Sequence, residues 1–277
     1  MIFKNAVHQK QFSENGFCVF DNFLDEQELR RVDSLYEKLN LKELHEIYSN
    51  IKDRDESVNT EIDTTLVSIF KPRLDLYFKD YRTGGGAFLV KGTGESSVSS
   101  LHQDWNVVDE SKYVSMGVWC PLVDVDETNG CLQVVKGSNN WFNTLRSINM
   151  PSICVDFEKV ASKLVSIPAK RGTAVVFAHN VFHGSMPNHT GEIRPAASVS
   201  VMNKEAGIIH YYKNNEKINI LNAETFFNDT VNLLLKGENP GLKLIGEMDF
   251  EDKFNVTHDE FYKIYKRKSG LFAKLFG

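Results

Sequence analysis

Two side chains able to bind a metal lie close together in the segment Ser100–Trp105. His102 offers an imidazole nitrogen and Asp104 offers a carboxylate. The segment is strand-like, and side chains at positions i and i+2 of a strand point to the same face. We therefore predict that His102 and Asp104 project together and that a ligand from another strand completes a metal site. Two histidines and one carboxylate on one face of an ion, with the other positions open, suit a non-haem Fe(II) oxygenase.

A histidine and an arginine farther along the chain could complete such a site. His183 lies at a predicted strand end before Gly184, and Arg194 follows eleven residues later, just before another predicted strand. An inward-pointing arginine on the adjacent strand could hold a carboxylate through two hydrogen bonds, as the far carboxylate of 2-oxoglutarate requires. Each residue alone is weak evidence, since a lone histidine is more often structural, which is our interpretation of His179. Their joint order and strand–turn–strand context favour the metal site.

Short strands separated by turns dominate the middle of the chain. The clearest, Tyr113–Val125, alternates between two faces, and the next strand, from Cys131, is interpreted as its partner. Asp25 and Glu28 form a capping-box pattern before an amphipathic helix over 26–39. Residues 40–75 are mixed and polar, and the charge run 52–56 is interpreted as a solvated loop; the short apolar runs Thr65–Phe70 and Leu74–Phe78 stay open between helix and strand. This pattern predicts a mainly β fold, a double-stranded β-helix of the jelly-roll or cupin-like type with flanking α-helices.

Composition limits the function classes. The chain has 277 residues, 42% hydrophobic and 25% charged, which fits one soluble domain over 1–277. A net charge of -5 argues against a nucleic-acid-binding protein. The four cysteines lack C-x-x-C spacing and are interpreted as buried thiols. We find no signal-peptide pattern and no apolar run of the ~20 residues that a membrane span needs, so a cytoplasmic protein is expected.

The chain resembles the phytanoyl-CoA hydroxylase family of Fe(II)- and 2-oxoglutarate-dependent dioxygenases over roughly residues 12–202. The most specific block is Phe182–Asn188 with Arg194 behind it, and Lys136 replaces the proline that the family tends to have in a turn. The remaining matching features are Asn15-Gly16-Phe17 before the acidic-start helix, Leu101-His102-Gln103-Asp104, Trp119, Thr128–Leu132 and Gly137-Ser138.

The resemblance implies roles for individual residues. It implies His102, Asp104 and His183 as iron ligands. It implies Arg194 as the anchor of 2-oxoglutarate. It also implies further co-substrate contacts from Ser185, Trp119 and Lys91, the last matched only by its distance ahead of His102. The implied reaction consumes O2 and 2-oxoglutarate, releases succinate and CO2, and hydroxylates a C–H bond of a small-molecule or carrier-bound substrate. The carboxylate of Asp104 favours hydroxylation, because related halogenases lack it, while desaturation and ring formation stay open.

Several alternatives remain at the level of sequence. The jelly roll could instead be a non-catalytic or differently metallated cupin-like binding module, with Trp105, Trp119 and Trp141 as ligand platforms. Residues 203–277 form a C-terminal extension that either packs on the barrel or walls the substrate site, with a helix predicted over Ala223–Leu235. The basic, aromatic tail from His258 could contact an anionic membrane surface, although a helix docked on its own domain is the preferred interpretation.

Overall fold

The structure is a computed structural model that describes residues 1–41, 43–52, 56–142, 144–150, 153, 155–224, 241–251 and 256–273. Thirteen strands and four α-helices lie within these residues, besides short 3-10 turns. The helices are α1 (Ala6–Asn15), α2 (Glu26–Tyr36), α3 (Glu56–Tyr77) and α4 (His258–Ala273). The strands are β1 (Phe17–Phe20), β2 (Ile47–Ser49), β3 (Tyr81–Lys91), β4 (Ser99–His102), β5 (Ser115–Pro121), β6 (Leu132–Val135), β7 (Leu164–Ile167), β8 (Ala174–Ala178), β9 (His183–Ser185), β10 (Arg194–Asn203), β11 (Ile209–Asn214), β12 (Lys217–Asn222) and β13 (Leu244–Asp249).

Ten strands, β1 to β10, form two antiparallel sheets, and eight of them, β3 to β10, are the strands of a jelly roll. The larger sheet has the order β1-β8-β5-β10-β3-β2, and the smaller sheet has the order β4-β9-β6-β7. The chain passes between the two sheets as it runs from β3 to β10, as expected when two sheets share one interior. The predicted fold class is confirmed. Strands β11, β12 and β13 form a separate three-stranded sheet from the C-terminal extension.

The N-terminal elements follow local sequence signals. Gly16 ends α1 with a φ of 86°, a left-handed conformation that glycine adopts without strain, and β1 follows at once. At the start of α2, the Asp25 carboxylate accepts from the backbone N–H groups of Gln27 and Glu28, and the Glu28 carboxylate accepts from the backbone N–H of Asp25. The predicted capping box and helix are therefore confirmed.

The charge run 52–56 lies mostly outside the described residues. The two apolar runs of open type, Thr65–Phe70 and Leu74–Phe78, belong to one helix, α3, which occupies 56–77 and ends one residue before Phe78. Its buried residues Ile62, Leu66, Ile69 and Leu74 repeat at helical spacing, and their packing against the sheet outweighs the polar composition of the rest. The glycines 84–86 lie inside β3. A Cβ on Gly86 would lie 2.8 Å from the Leu66 Cβ, so glycine permits the close approach of α3 to β3.

The partner predicted for the strand Tyr113–Val125 is also wrong. Strand β6 pairs with β7 and β9 in the smaller sheet, whereas β5 lies between β8 and β10 in the larger one. A hairpin is the simplest connection of consecutive strands, but here the chain crosses from one sheet to the other after β5. Sequence periodicity alone carries no information about that crossing.

The C-terminal helix α4 packs on its own domain through aromatic side chains. The buried side chains of Phe261 and Tyr265 lie against Trp141, with ring centroids 5.8 and 6.1 Å away, and Phe261 also contacts Phe182 at 4.9 Å. The docked interpretation of this helix is therefore supported by direct contacts. The helix predicted over Ala223–Leu235 lies outside the described residues beyond Glu224, as does the end of the tail, 274–277.

Two further sequence interpretations concern the thiols and the membrane. Cys18, Cys120 and Cys131 are buried and free, as expected, and Cys154 lies outside the described residues. None of the helices in the described part of the chain combines the length and the apolar character that a membrane span requires.

Candidate active site

The structure brings together three of the residues singled out in the sequence. One ligand atom each from His102, Asp104 and His183 lies within 4.8 Å of the other two. The Nε2 atom of His102 is 3.7 Å from one oxygen of the Asp104 carboxylate, and the Nε2 atom of His183 is 3.7 Å from the other oxygen. The two histidines are direct cross-strand partners in β4 and β9, with ring centroids 4.6 Å apart. The pairing of these two strands therefore sets the spacing of the imidazoles.

Both imidazoles present the same nitrogen to the centre. The Nδ1–H group of His102 donates to the carbonyl oxygen of Ser100 at 2.7 Å, and that of His183 donates to the carbonyl oxygen of Val181 at 3.0 Å. A carbonyl oxygen only accepts, so Nδ1 carries the proton and Nε2 keeps its lone pair in the neutral ring. Metal-binding histidines are commonly oriented in this way, by a hydrogen bond from the second ring nitrogen.

Asp104 reaches the centre by a different route from the one predicted. Strand β4 ends at His102, so Asp104 does not share a strand with it, and the predicted i and i+2 strand geometry is wrong. The backbone N–H group of Asp104 donates to the carbonyl oxygen of His179 at 2.9 Å, and its carbonyl oxygen accepts from the Nε–H group of Arg146 at 2.6 Å. Tertiary hydrogen bonds, and not the β4 ladder, place this carboxylate.

Electrostatics favour an ionised Asp104 and a neutral His183, whereas His102 is drawn toward its protonated form and would give up that proton to a metal. Burial opposes ionisation of Asp104, but His183, His102 and His179 outweigh it and hold the pKa of this carboxyl well below its usual range. Burial lowers the pKa of His183 to about 4, so its ring is neutral near pH 7. Burial also disfavours the charge on His102, yet its hydrogen bond to Asp104 leaves its pKa raised. An ionised carboxylate with neutral imidazoles is the form in which such groups bind cations.

Arg194 lies in the opposite sheet from the two histidines, at the start of β10. The sequence interpretation that placed it on the adjacent strand is wrong, since β10 pairs with β3 and β5. The arginine is 6% exposed, its guanidinium lies 5.2 Å from the centroid of the Trp119 ring, and its Nε and Nη1 atoms are buried without a hydrogen-bond partner. Buried N–H donors without an acceptor are costly, so this guanidinium has donors available for an acceptor from outside the chain.

Lys91 is the direct cross-strand partner of Arg194, on β3. It is 1% exposed, and its ammonium group donates to the carbonyl oxygens of Ser97 and, at 3.0 Å, Met186. Burial, with the adjacent charge of Arg194, lowers the pKa of Lys91 to about 7, and burial lowers the pKa of Arg194 to about 10. Two cations therefore lie side by side in the interior, which is a setting for an anion.

Ser185 and Phe177 lie close to His183. Ser185 is buried two residues beyond His183 on β9, and residues two apart in a strand share a face. The Phe177 ring packs against the His183 ring with centroids 4.5 Å apart. A Cβ on Gly117, the cross-strand partner of Phe177, would lie 3.0 Å from that ring, so glycine leaves the space that the ring fills. Neither Phe177 nor Arg146 was singled out from the sequence.

His179 is not part of the group, as the sequence interpretation expected. Its Nδ1 atom is hydrogen-bonded to the Ser115 hydroxyl at 2.9 Å, and it is 6% exposed. Burial lowers its pKa, so its ring is neutral and it contributes its backbone carbonyl to Asp104. His179 is therefore a structural neighbour of the site.

Comparison with known proteins agrees with this geometry. The profile of the family described as phytanoyl-CoA dioxygenase (PhyH) matches residues 12–196, more than half of the chain. The chain belongs to the phytanoyl-CoA dioxygenase family. Membership confirms the resemblance drawn from the sequence to a family of Fe(II)- and 2-oxoglutarate-dependent dioxygenases.

Two curated relatives carry the family name. The phytanoyl-CoA dioxygenase domain-containing protein 1 homolog of Dictyostelium discoideum is 23% identical over 135 residues, 46% of this chain and 48% of that protein. Phytanoyl-CoA dioxygenase domain-containing protein 1 of Danio rerio is 34% identical over 98 residues, 32% of this chain and 34% of that protein. The chain thus matches about half or less of the length of these relatives.

A solved structure extends the similarity of fold over most of the chain. The epimerase SnoN, solved in complex with Fe3+, α-ketoglutarate and nogalamycin RO, aligns with a TM-score of 0.54 at 16% identity, covering 92% of this chain and 96% of SnoN. At this identity the match concerns the fold alone. It covers more of the chain than the family profile, which ends at residue 196.

The alternative of a non-catalytic binding module finds no support in the aromatic residues that it required. Trp119 is 4% exposed and stacked with Arg194, and Trp141 is packed against α4, so neither presents an open platform. Trp105 packs in an apolar cluster with Tyr113, Ile208 and Tyr212. The donor set of two imidazoles and one carboxylate instead suits Fe(II).

Proposed function

We propose that His102, Asp104 and His183 bind a ferrous ion in this protein. The observation that carries the proposal is the convergence of two Nε2 atoms and one carboxylate within 4.8 Å, with both Nδ1 atoms turned away. Three protein ligands leave positions for the co-substrate and O2. The role of each side chain is to hold one ligand atom at the ion, and Nε2 is that atom in both histidines.

Arg194 is proposed to bind the far carboxylate of 2-oxoglutarate, with Lys91 beside it. The support is the pair of unsatisfied N–H groups on a nearly buried guanidinium and the second cation directly opposite on β3. Trp119 stacks on the guanidinium and so restricts its rotation, and Ser185 lies beyond His183 on the same strand. A planar guanidinium held in this way matches a carboxylate in both charge and shape.

The reaction proposed is hydroxylation of a C–H bond, with release of succinate and CO2. When bound, iron and 2-oxoglutarate supply the oxidising chemistry; the protein supplies binding, orientation and exclusion of competing reactions. Phe177 and Val134 pack around His183 and exclude water from that side of the site. Asp104 completes the three-ligand set, which supports hydroxylation over reactions that need an extra ligand position.

The substrate is proposed to be a small molecule or a carrier-bound group. Trp105, the residue after Asp104, packs in an apolar cluster with Tyr113, Ile208 and Tyr212. An apolar cluster that begins beside a metal ligand supports a substrate with an uncharged portion. Ile208 and Tyr212 of this cluster come from the C-terminal extension, which supports a substrate-wall role for part of it.

A succinate-release screen tests this function. The purified chain, supplied with Fe(II), ascorbate and 2-oxoglutarate, is assayed across amino acids, peptides, sugars and acyl carriers. We expect one class to raise succinate formation above the substrate-free rate and to yield a product heavier by one oxygen atom. A product that has lost two hydrogens would replace hydroxylation by desaturation or ring formation. Failure to bind Mn(II) together with 2-oxoglutarate in a thermal-shift assay would contradict the site itself.

A further inference from the structure

Arg146 is a buried arginine outside the proposed ligand set. Its side chain is 2% exposed, and its Nη2–H group donates to the carboxylate of Glu110 at 2.6 Å, itself only 12% exposed. Its Nη1–H group donates to the carbonyl oxygen of Thr144 at 3.0 Å. A buried cation is stable only when paired and hydrogen-bonded, and Arg146 meets both conditions.

The third donor of this guanidinium is directed at the backbone of Asp104. The Nε–H group of Arg146 donates to the Asp104 carbonyl oxygen at 2.6 Å, while the Asp104 N–H group donates to His179 at 2.9 Å. Both peptide groups of Asp104 are therefore tied to other segments. Because β4 ends at His102, these two bonds replace the strand ladder that would otherwise orient the residue.

The backbone of Arg146 is fixed to the same segment. Its N–H group donates to the side-chain oxygen of Asn106 at 2.6 Å, and its carbonyl oxygen accepts from the Asn106 N–H group at 3.1 Å. Together with the Nε bond, three hydrogen bonds join Arg146 to the segment 104–106. The guanidinium is thus held in place and can hold Asp104 in turn.

We propose that Arg146 is a positioning residue that orients the Asp104 carboxylate toward the metal. The inference rests on the proposed iron site. In this proposal, Glu110 anchors the guanidinium of Arg146, so that the Nε–H group stays directed at the Asp104 carbonyl oxygen. Groups one step removed from a metal typically change metal affinity or activity by about 10–100-fold when they are lost.

The test measures Mn(II) affinity, which does not depend on turnover. Arg146→Lys keeps a cation for Glu110 but cannot also donate from the Nε position. We expect its Mn(II) dissociation constant, followed by the electron paramagnetic resonance signal of free Mn(II), to rise by about 10-fold or more. The Co(II) absorption spectrum of the variant should also change, because the carboxylate ligand is displaced.

Two further variants make the outcome decisive. Arg171→Lys is the matched control, since Arg171 pairs with Asp33 and bonds the Leu122 carbonyl away from the site, and it should bind Mn(II) as the wild type does. Glu110→Gln keeps the shape of the anchor but not its charge, and it should weaken binding less than Arg146→Lys.

The outcomes distinguish failure of the Arg146 role from failure of the iron site. If Arg146→Lys does not fold, unchanged Mn(II) affinity in Glu110→Gln overturns the positioning role, and a weakened affinity supports it. Wild-type affinity in a folded Arg146→Lys overturns it directly. A wild-type protein that fails to bind Mn(II) contradicts the iron site, and with it the proposed function, before any variant is compared.

Discussion

Arg194 and Lys91 face each other directly across the antiparallel pair of β10 and β3, and both are almost completely buried. Two like charges in the interior repel each other and lose hydration, so their burial lowers the free energy of unfolding. An anion bound between or beside the two cations offsets this destabilisation. The first two predictions follow from this relationship.

Replacing Arg194 should weaken 2-oxoglutarate binding without lowering the stability of the folded protein. In Arg194→Met we expect 2-oxoglutarate binding to the Mn(II)-loaded protein to weaken by at least about 2 kcal/mol, roughly 30-fold, because a buried charge-assisted contact is lost. Without 2-oxoglutarate, the variant should unfold at the same or a higher urea concentration than the wild type, since an unsatisfied buried cation has been removed. Isothermal titration and urea unfolding measure the two effects. Unchanged 2-oxoglutarate affinity would remove Arg194 from the co-substrate pocket.

Lys91 should make stability rise with pH above neutrality. Its pKa is about 7 in the folded protein and near the ordinary lysine value when unfolded, so below pH 7 both states hold the proton. Between about pH 7 and 10 the unfolded state binds more protons, and the free energy of unfolding gains up to about 1.4 kcal/mol per pH unit. Lys91→Met should lack this gain. Urea unfolding of both proteins at pH 6.5, 7.5 and 8.5 checks it, and parallel pH profiles would contradict the buried ammonium.

Loss of either ligand type should abolish metal binding. His183→Ala and Asp104→Ala each leave two of the three ligand atoms, so we expect Mn(II) affinity and 2-oxoglutarate-dependent succinate formation to fall to background. His189→Ala is the control. The His189 side chain is 56% exposed, and its Nδ1 atom lies 3.6 Å from the carboxylate of Glu95, a surface residue outside the ligand set. Full turnover in either alanine variant would exclude that residue from the ligand set.

Truncation of Phe261 tests whether α4 belongs to the same cooperative unit as the barrel. The ring is fully buried and packs on Phe182, the residue directly before His183. Phe261→Ala should lower the free energy of unfolding by about 3–5 kcal/mol, as expected for a large cavity in a core. Lys266→Ala, at an exposed position of the same helix, should change it little. A separate, earlier unfolding step for α4 would show that the helix is not part of one domain with residues 12–202.

The sequence carried enough information to find the candidate ligands but not to explain how all of them are placed. His102 and His183 meet because β4 and β9 pair, which strand patterns and the family resemblance could indicate. Asp104 was expected nearby for a reason that does not hold, since it lies beyond the end of β4. Its position depends on His179 and Arg146, which are 75 and 42 positions away in the chain. No local pattern marks such long-range hydrogen bonds.

The same distinction applies to the fold. The capping residues Asp25 and Glu28 predicted α2 because such signals act over a few residues. Helix α3 was missed because its apolar stripe was interpreted as separate short runs, although positions 62, 66, 69 and 74 share one helix face. The predictions of the strand that pairs with β6 and of the sheet that holds Arg194 were wrong for a related reason. Both depend on where the chain crosses between the sheets.

The most direct test of the account is anomalous diffraction from crystals of the protein grown without oxygen in the presence of Mn(II) and 2-oxoglutarate. The account predicts one strong manganese peak bonded to Nε2 of His102, Nε2 of His183 and the carboxylate of Asp104, with the far carboxylate of 2-oxoglutarate on the guanidinium of Arg194. A manganese ion bound elsewhere, or a 2-oxoglutarate carboxylate directed away from Arg194, would contradict it.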